Sequence, residues 1–272
     1  MKSFNIPLVF HPIYSQLELP VRHRFPIDKY RSIYQRLKDD GVAESVFNTP
    51  QRFSVDKAKA MLDATYVDEL VSGSLGAKEM RRIGFPWSEQ LVKRTFTAVG
   101  GTLLTAKLAV EHGIAINLTG GYHHAFADFG SGFCMINDLY LAANQMLEND
   151  DINRVLIFDC DVHQGDGTAA LCEQRDDIIT VSLHCEKNFP YRKQNSNLDF
   201  GLDKHLEDEE YLQSVKQALD LALNSYEIDA VIYDAGVDIH QHDDLGLLNV
   251  STEGIYLRDR LVFDTCKDRA LP

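Results

Sequence analysis

Three carboxylates and one imidazole fall within the eight residues Asp159 to Asp166 of the run Asp159-Cys160-Asp161-Val162-His163-Gln164-Gly165-Asp166-Gly167. The apolar residues Val155-Leu156-Ile157-Phe158 ahead of it read as a buried strand, in which side chains at i, i+2 and i+4 share a face. On that pattern Asp159, Asp161 and His163 point together. Such a cluster is costly unless a cation sits among its members, and a hard or borderline divalent ion is the usual occupant. A hydrolytic zinc site takes about three protein ligands and keeps one position for a water, whose pKa the metal lowers. Asp161, His163 and Asp238 would supply that set, and Asp159 could instead orient a neighbouring histidine. The plain alternatives are a capped turn for Asp161 and His163, and a loop carboxylate for Asp238.

His123 and His124 follow Gly120-Gly121, and glycines let a backbone approach a ligand or take a positive φ. Beside a metal-bound water, two imidazoles can divide the work, one moving the proton and the other stabilising charge. Each then needs a carboxylate behind it, and Asp159 and Asp166 are the acids left over. A solvated loop pair is the alternative. Asp128 to Cys134 alternates small residues with aromatics; it reads first as a glycine-rich turn with one core phenylalanine, second as a narrow apolar passage to a buried centre. His184 ends a strand and reads equally as a structural histidine or a site wall. His240 and His242 fit a solvated loop.

The elements that must position these groups change character along the chain. Helices are expected at about 29–40, 55–62 and 88–112, with Asp28 and Ser88 as N-caps. From residue 114 short apolar strands (114–118, 155–159, 178–183, 230–234) alternate with helices (137–147, 168–173, 209–223, 252–263). That order implies parallel βαβ crossovers in a helix-flanked sheet, with ligands outside the carboxyl ends of the strands. The polar clusters lie at those ends. No repeat, low-complexity segment or linker interrupts the 272 residues, so the reading is one domain, 1–272.

Composition is that of a globular chain, 44% hydrophobic and 25% charged. The net charge of −14 works against nucleic acid and anionic membranes as partners and favours cationic substrates. Met1 to Asn5 leads into an apolar piece broken by Pro7 and Pro12, without a signal-peptide pattern, and no run reaches membrane-span length. The five cysteines lack CxxC spacing and read as reduced thiols of a cytoplasmic protein. The oligomeric state is left open.

Residues 120–138 (GGYHHAFADFGSGFCMIND), 155–168 (VLIFDCDVHQGDGT), 179–194 (ITVSLHCEKNFPYRKQ) and 233–246 (YDAGVDIHQHDDLG) together resemble the zinc-dependent histone deacetylases and acetylpolyamine amidohydrolases of the arginase-deacetylase fold. With 23–30 (HRFPIDKY) and 81–88 (RRIGFPWS), the likeness covers nearly the whole chain and is nearest to class IV and bacterial members. It implies a three-layer α/β/α domain with a mainly parallel sheet. It further implies zinc on Asp161, His163 and Asp238; His124, backed by Asp166, as general base and acid; and His123, backed by Asp159, as its electrostatic partner. A structural potassium ion would lie near Asp159, Asp161, His163, Ser182 and Leu183. Gly132, Phe133 and Phe189 would line an acyl-lysine channel.

The implied substrate is an acetylated or otherwise acylated lysine of a protein, or an acetylated polyamine. The resemblance also implies a glycine-rich segment ending in a tyrosine beyond the last helix, whereas this chain ends at Arg269-Ala270-Leu271-Pro272. The expectation is therefore a domain lacking its last strand and one oxyanion donor, worth about 100- to 1,000-fold in rate. Two rivals remain: a binuclear manganese ureohydrolase, which needs aspartates where Cys160, Val162 and Gln164 stand, and a non-catalytic acyl-lysine-binding or scaffold protein.

Overall fold

A computed structural model describes residues 6–272. The Met1 to Asn5 stretch, on which the reading against a signal peptide partly rests, lies outside the described residues. The chain forms two compact units, one ending at Gln145 and the other spanning Met146–Pro272.

The first unit is mainly helical, as its spacing predicts. Its helices are α1 (Lys29–Asp39), α2 (Val55–Met61), α3 (Ala64–Ser72), α4 (Ala77–Ile83), α5 (Glu89–His112) and most of α6 (Asp138–Met146). Ser88 caps α5, its side chain accepting the Leu91 N–H at 3.0 Å. Asp28 does not cap α1. Its carboxylate turns outward to pair with Arg31 at 2.6 Å, and the first-turn amides receive no side-chain oxygen from it. Three two-residue strands, β1 (Leu8–Val9), β2 (Phe47–Asn48) and β3 (Ile116–Asn117), form a parallel sheet in the order β2-β1-β3. The strand expected over 114–118 is therefore only its middle pair. The other two strands of the sheet give no sequence signal, because a two-residue strand has no periodicity to read.

The second unit carries the longer sheet, four parallel strands in the order β6-β5-β4-β7: β4 (Val155–Asp159), β5 (Ile178–Cys185), β6 (Leu198–Leu202) and β7 (Ala230–Asp234). β4 and β5 are buried at every residue, as central parallel strands must be when both faces are covered. α7 (Asp166–Cys172), α8 (Asp208–Ser225) and α9 (Thr252–Asp268) connect and flank the strands. α8 buries Tyr211, Val215, Ala218, Leu219 and Ala222, one stripe at helical spacing, in the same apolar cluster as Leu156, Phe158, Val181 and Leu183.

Register aligns the strand ends: Asp159 on β4 stands opposite Ser182 on β5 and Asp234 on β7. Chain segments leaving β4 and β7 therefore start side by side. β6 is an addition to the expected strands, and its alternating half-exposed pattern marks an edge strand. β7 forms the other edge, where the Val231 N–H is taken by the Pro272 carbonyl at 2.9 Å. Among the described residues, no helix is long and apolar enough to cross a membrane.

Candidate functional site

β4 ends at Asp159, so Asp161 and His163 do not alternate along a strand as their spacing suggests. They converge by another device. The Asp159 carboxylate accepts the Asp161 N–H at 3.0 Å, and the Asp161 carboxylate accepts the His163 N–H at 2.9 Å. Two successive side-chain-to-backbone turns of this kind coil the segment tightly as it leaves the sheet. Beyond β7, Asp238 reaches the same place, its Oδ1 accepting the Val162 N–H at 2.9 Å. His163 Nδ1 lies 3.0 Å from Asp161 Oδ1 and 3.0 Å from Asp238 Oδ2. One donor atom from each of Asp161, His163 and Asp238 lies within 4.8 Å of the others.

The electrostatics of this trio are those of concentrated negative charge. Burial pushes the Asp238 carboxyl above its usual range and the Asp161 charge adds to the rise, against the pull of His163. Burial would lower the His163 imidazole, but its bonds to the two carboxylates outweigh that and hold it well above its usual value. Two carboxylates and one imidazole, presented on loops at the carboxyl end of a parallel sheet, suit a hard or borderline divalent metal. The donor set fits such an ion.

Phe189 stands edge-on to the His163 ring, with centroids 6.1 Å apart. Asp166 is the first residue of α7, which starts two residues before the expected Thr168. Ser182 and Leu183 are buried on β5. His184 is buried too and shares a hydrogen bond with Ser182 Oγ at 3.0 Å, the structural alternative for that residue. His240 and His242 lie on the loop after β7, where His240 meets Thr252 Oγ1 at 3.1 Å.

In the first unit, His123 and His124 are buried rather than solvated, with ring centroids 4.1 Å apart. Gly120 and Gly121 both take positive φ, 116° and 74°. The loop is fastened from below by Asp138, the last residue of its own motif, and by Thr102, Arg94 and Tyr14 outside it. Asp138 accepts the Tyr122 N–H at 2.7 Å and the Thr102 hydroxyl at 2.5 Å, while Arg94 reaches Tyr122 Oη at 3.3 Å and the Tyr14 carbonyl at 2.9 Å. Burial raises the Asp138 carboxyl, opposed by those donors. Asp138→Ala should therefore strand the buried Tyr122 N–H and cost about 2 kcal/mol. Asp138→Asn, which keeps an acceptor, should lose less, and urea unfolding of the two variants measures the difference.

Ser131 to Cys134 forms a tight turn, with Phe133 at φ 66°, an unusual value for a bulky residue. Gly132 and Phe133 donate backbone bonds to Arg82 and Ile83 at the end of α4, and the Phe133 ring packs with His23, Phe25 and Phe85. Phe133 is half-buried within that aromatic group rather than enclosed in a core.

Residues 23–271 match the family of the histone deacetylase domain. The chain is 46% identical to an uncharacterized protein of Picosynechococcus sp. over 98% of its own length and 89% of that protein. It is 31% identical to histone deacetylase 2 of Arabidopsis thaliana, over 92% of this chain and 67% of the plant protein. Acetoin utilization protein AcuC of Staphylococcus aureus is 33% identical over 60% of this chain and 46% of its own. Among solved structures, an HDAC homolog complexed with SAHA superposes with a TM-score of 0.84 at 22% identity, covering 96% of this chain and 76% of that one. The fold is thus the arginase-deacetylase α/β fold, and the chain belongs to the histone deacetylase family.

Proposed function

We propose that this protein is a zinc-dependent amide hydrolase that removes acetyl, or another acyl group, from a lysine side chain or an acetylated polyamine. The observation that carries the reading is the convergence of Asp161, His163 and Asp238 within 4.8 Å in a chain of this family. A divalent ion held there would polarise the amide carbonyl and make a bound water acidic enough to attack it near neutral pH. His124, backed by Asp166, takes the proton of the attacking water and returns it to the departing amine. His123, backed by Asp159, stabilises the charge that develops between those events. These histidine roles come from family membership, as do one zinc per chain and a potassium ion near Asp159, Asp161, His163, Ser182 and Leu183. Gly132, Phe133 and Phe189 are assigned to the acyl channel on the same ground.

The family match over residues 23–271 supports one catalytic domain. The net charge of −14 supports a cationic substrate and works against nucleic acid and anionic membranes as partners, and five cysteines without CxxC spacing support a cytoplasmic setting. A binuclear ureohydrolase is disfavoured where the extra aspartates would stand. Cys160 and Val162 are buried in the apolar cluster, and Gln164 donates to the Gln194 carbonyl and Asp199, both at 2.8 Å.

Amine release from acetyl-lysine peptides and N-acetylated polyamines, with and without added zinc, tests the reading. Zinc-dependent turnover that a chelator stops is expected. Zinc-loaded protein that binds acyl-lysine peptides without cleaving any would replace the enzyme with an acyl-lysine-binding module.

A further inference from the structure

Arg258 lies about two turns into α9 and is completely buried, an expensive place for a permanent cation. Its guanidinium has an unusual set of partners. Nη1 donates to the Gly236 carbonyl at 2.5 Å and, more weakly, to the Cys160 carbonyl at 3.4 Å, while Nη2 donates to the Ala235 carbonyl at 3.3 Å. Cys160 immediately precedes Asp161, and Ala235-Gly236 lies just ahead of Asp238. All three carbonyls lie just beyond the ends of β4 and β7, where the chain leaves the ladder and its acceptors need partners from elsewhere.

The cation is itself held in place. Asp259 Oδ1 accepts from Arg258 Nε at 2.9 Å and also from the Tyr233 hydroxyl at 2.7 Å, and the Tyr233 ring lies 5.7 Å from the guanidinium carbon. A planar fork of five N–H donors can serve carbonyls on two separate chain segments at once. A lysine ammonium is a single point and cannot span them.

We propose that Arg258 is a positioning residue for the metal centre: it ties the segment carrying Asp161 and His163 to the segment carrying Asp238, and so sets the spacing of the three donors. This rests on the metal reading of that trio. Residues that hold metal ligands in place commonly carry 10- to 100-fold of metal affinity when replaced.

The test uses purified Arg258→Lys and Arg258→Met with wild type and Asp161→Asn. Zinc affinity is measured by competition with a chromophoric chelator, the visible spectrum of the cobalt-substituted protein reports coordination, and urea unfolding of metal-free protein reports the fold. Both Arg258 variants should bind zinc about 10- to 100-fold more weakly with an altered cobalt spectrum. The lysine variant should keep most of the metal-free stability. Wild-type zinc affinity and an unchanged cobalt spectrum in both variants, with only the unfolding midpoint moved, would reduce Arg258 to a packing residue. Failure of both variants to fold would likewise make Arg258 a residue of the core rather than of the metal centre. Failure of the metal reading is separate: it would show as wild type taking up no zinc, or as undiminished binding by Asp161→Asn.

Discussion

Asp161→Asn should abolish the response of this protein to divalent metal while leaving the metal-free fold nearly unchanged. The asparagine keeps an oxygen able to accept the His163 N–H, the bond that coils the segment after β4. What disappears is one of two negative charges. Its attraction to His163, 3.0 Å away, is lost together with its repulsion of Asp238, so the two effects on metal-free stability oppose each other. The metal response has no such compensation, because a neutral amide is a poor ligand for a divalent ion and the trio has no spare carboxylate.

A ligand that binds only the folded state adds about 2.7 kcal/mol at a concentration 100 times its dissociation constant. For a chain of this size that corresponds to roughly 5–10 °C in melting temperature. Wild type with saturating zinc should gain such a shift and Asp161→Asn should gain none. Calorimetry with and without zinc decides, and equal shifts in both proteins would remove Asp161 from the metal site.

Asp161, His163 and Asp238 are legible in the sequence because chemistry-bearing types crowd there behind an apolar strand, and strand-end placement gives them a common location. The cause of their convergence is not. Strand alternation, which the spacing suggests, stops at Asp159, and side-chain-to-backbone turns take over. Such turns leave little trace in apolar periodicity, since Asp and His are equally at home in either geometry.

Arg258 and Arg94 are invisible in the sequence for a different reason. Each sits in a helix among other charged or polar residues, and its burial is set by carbonyls and hydroxyls far away in sequence. The helices themselves are easier: α5, α8 and α9 repeat their apolar positions over several turns. The two-residue strands of the first unit are too short to do so.

Gly236 is another position that reads as an ordinary loop residue until its neighbours are known, and Gly236→Ala should disrupt the candidate metal centre. A Cβ there would lie 2.5 Å from the Asp161 Cα and 2.8 Å from both Cβ and Oδ2 of Asp161. The first of these contacts is to backbone, so no side-chain rotation relieves it. Either the segment after β4 or the segment after β7 must move, and both carry donors. Movement is further resisted by the Arg258 bond to the Gly236 carbonyl and by the Val162 N–H bond to Asp238.

Overpacking of this kind costs about 1–3 kcal/mol, and backbone contact argues for the upper end. Gly113→Ala is a useful contrast. Gly113 has a positive φ, 81°, which Gly236 does not, and nothing lies within 4 Å of its added Cβ. It should show only the strain of a left-handed alanine and keep the full zinc response. Gly236→Ala should lose both stability and most of the zinc-induced shift, because the added methyl acts on the distance between Asp161 and Asp238 rather than on the sheet that carries them. Urea unfolding and zinc titration of the two alanine variants separate these effects, and a normal zinc response in Gly236→Ala would mean that the two ligand segments do not need their close approach.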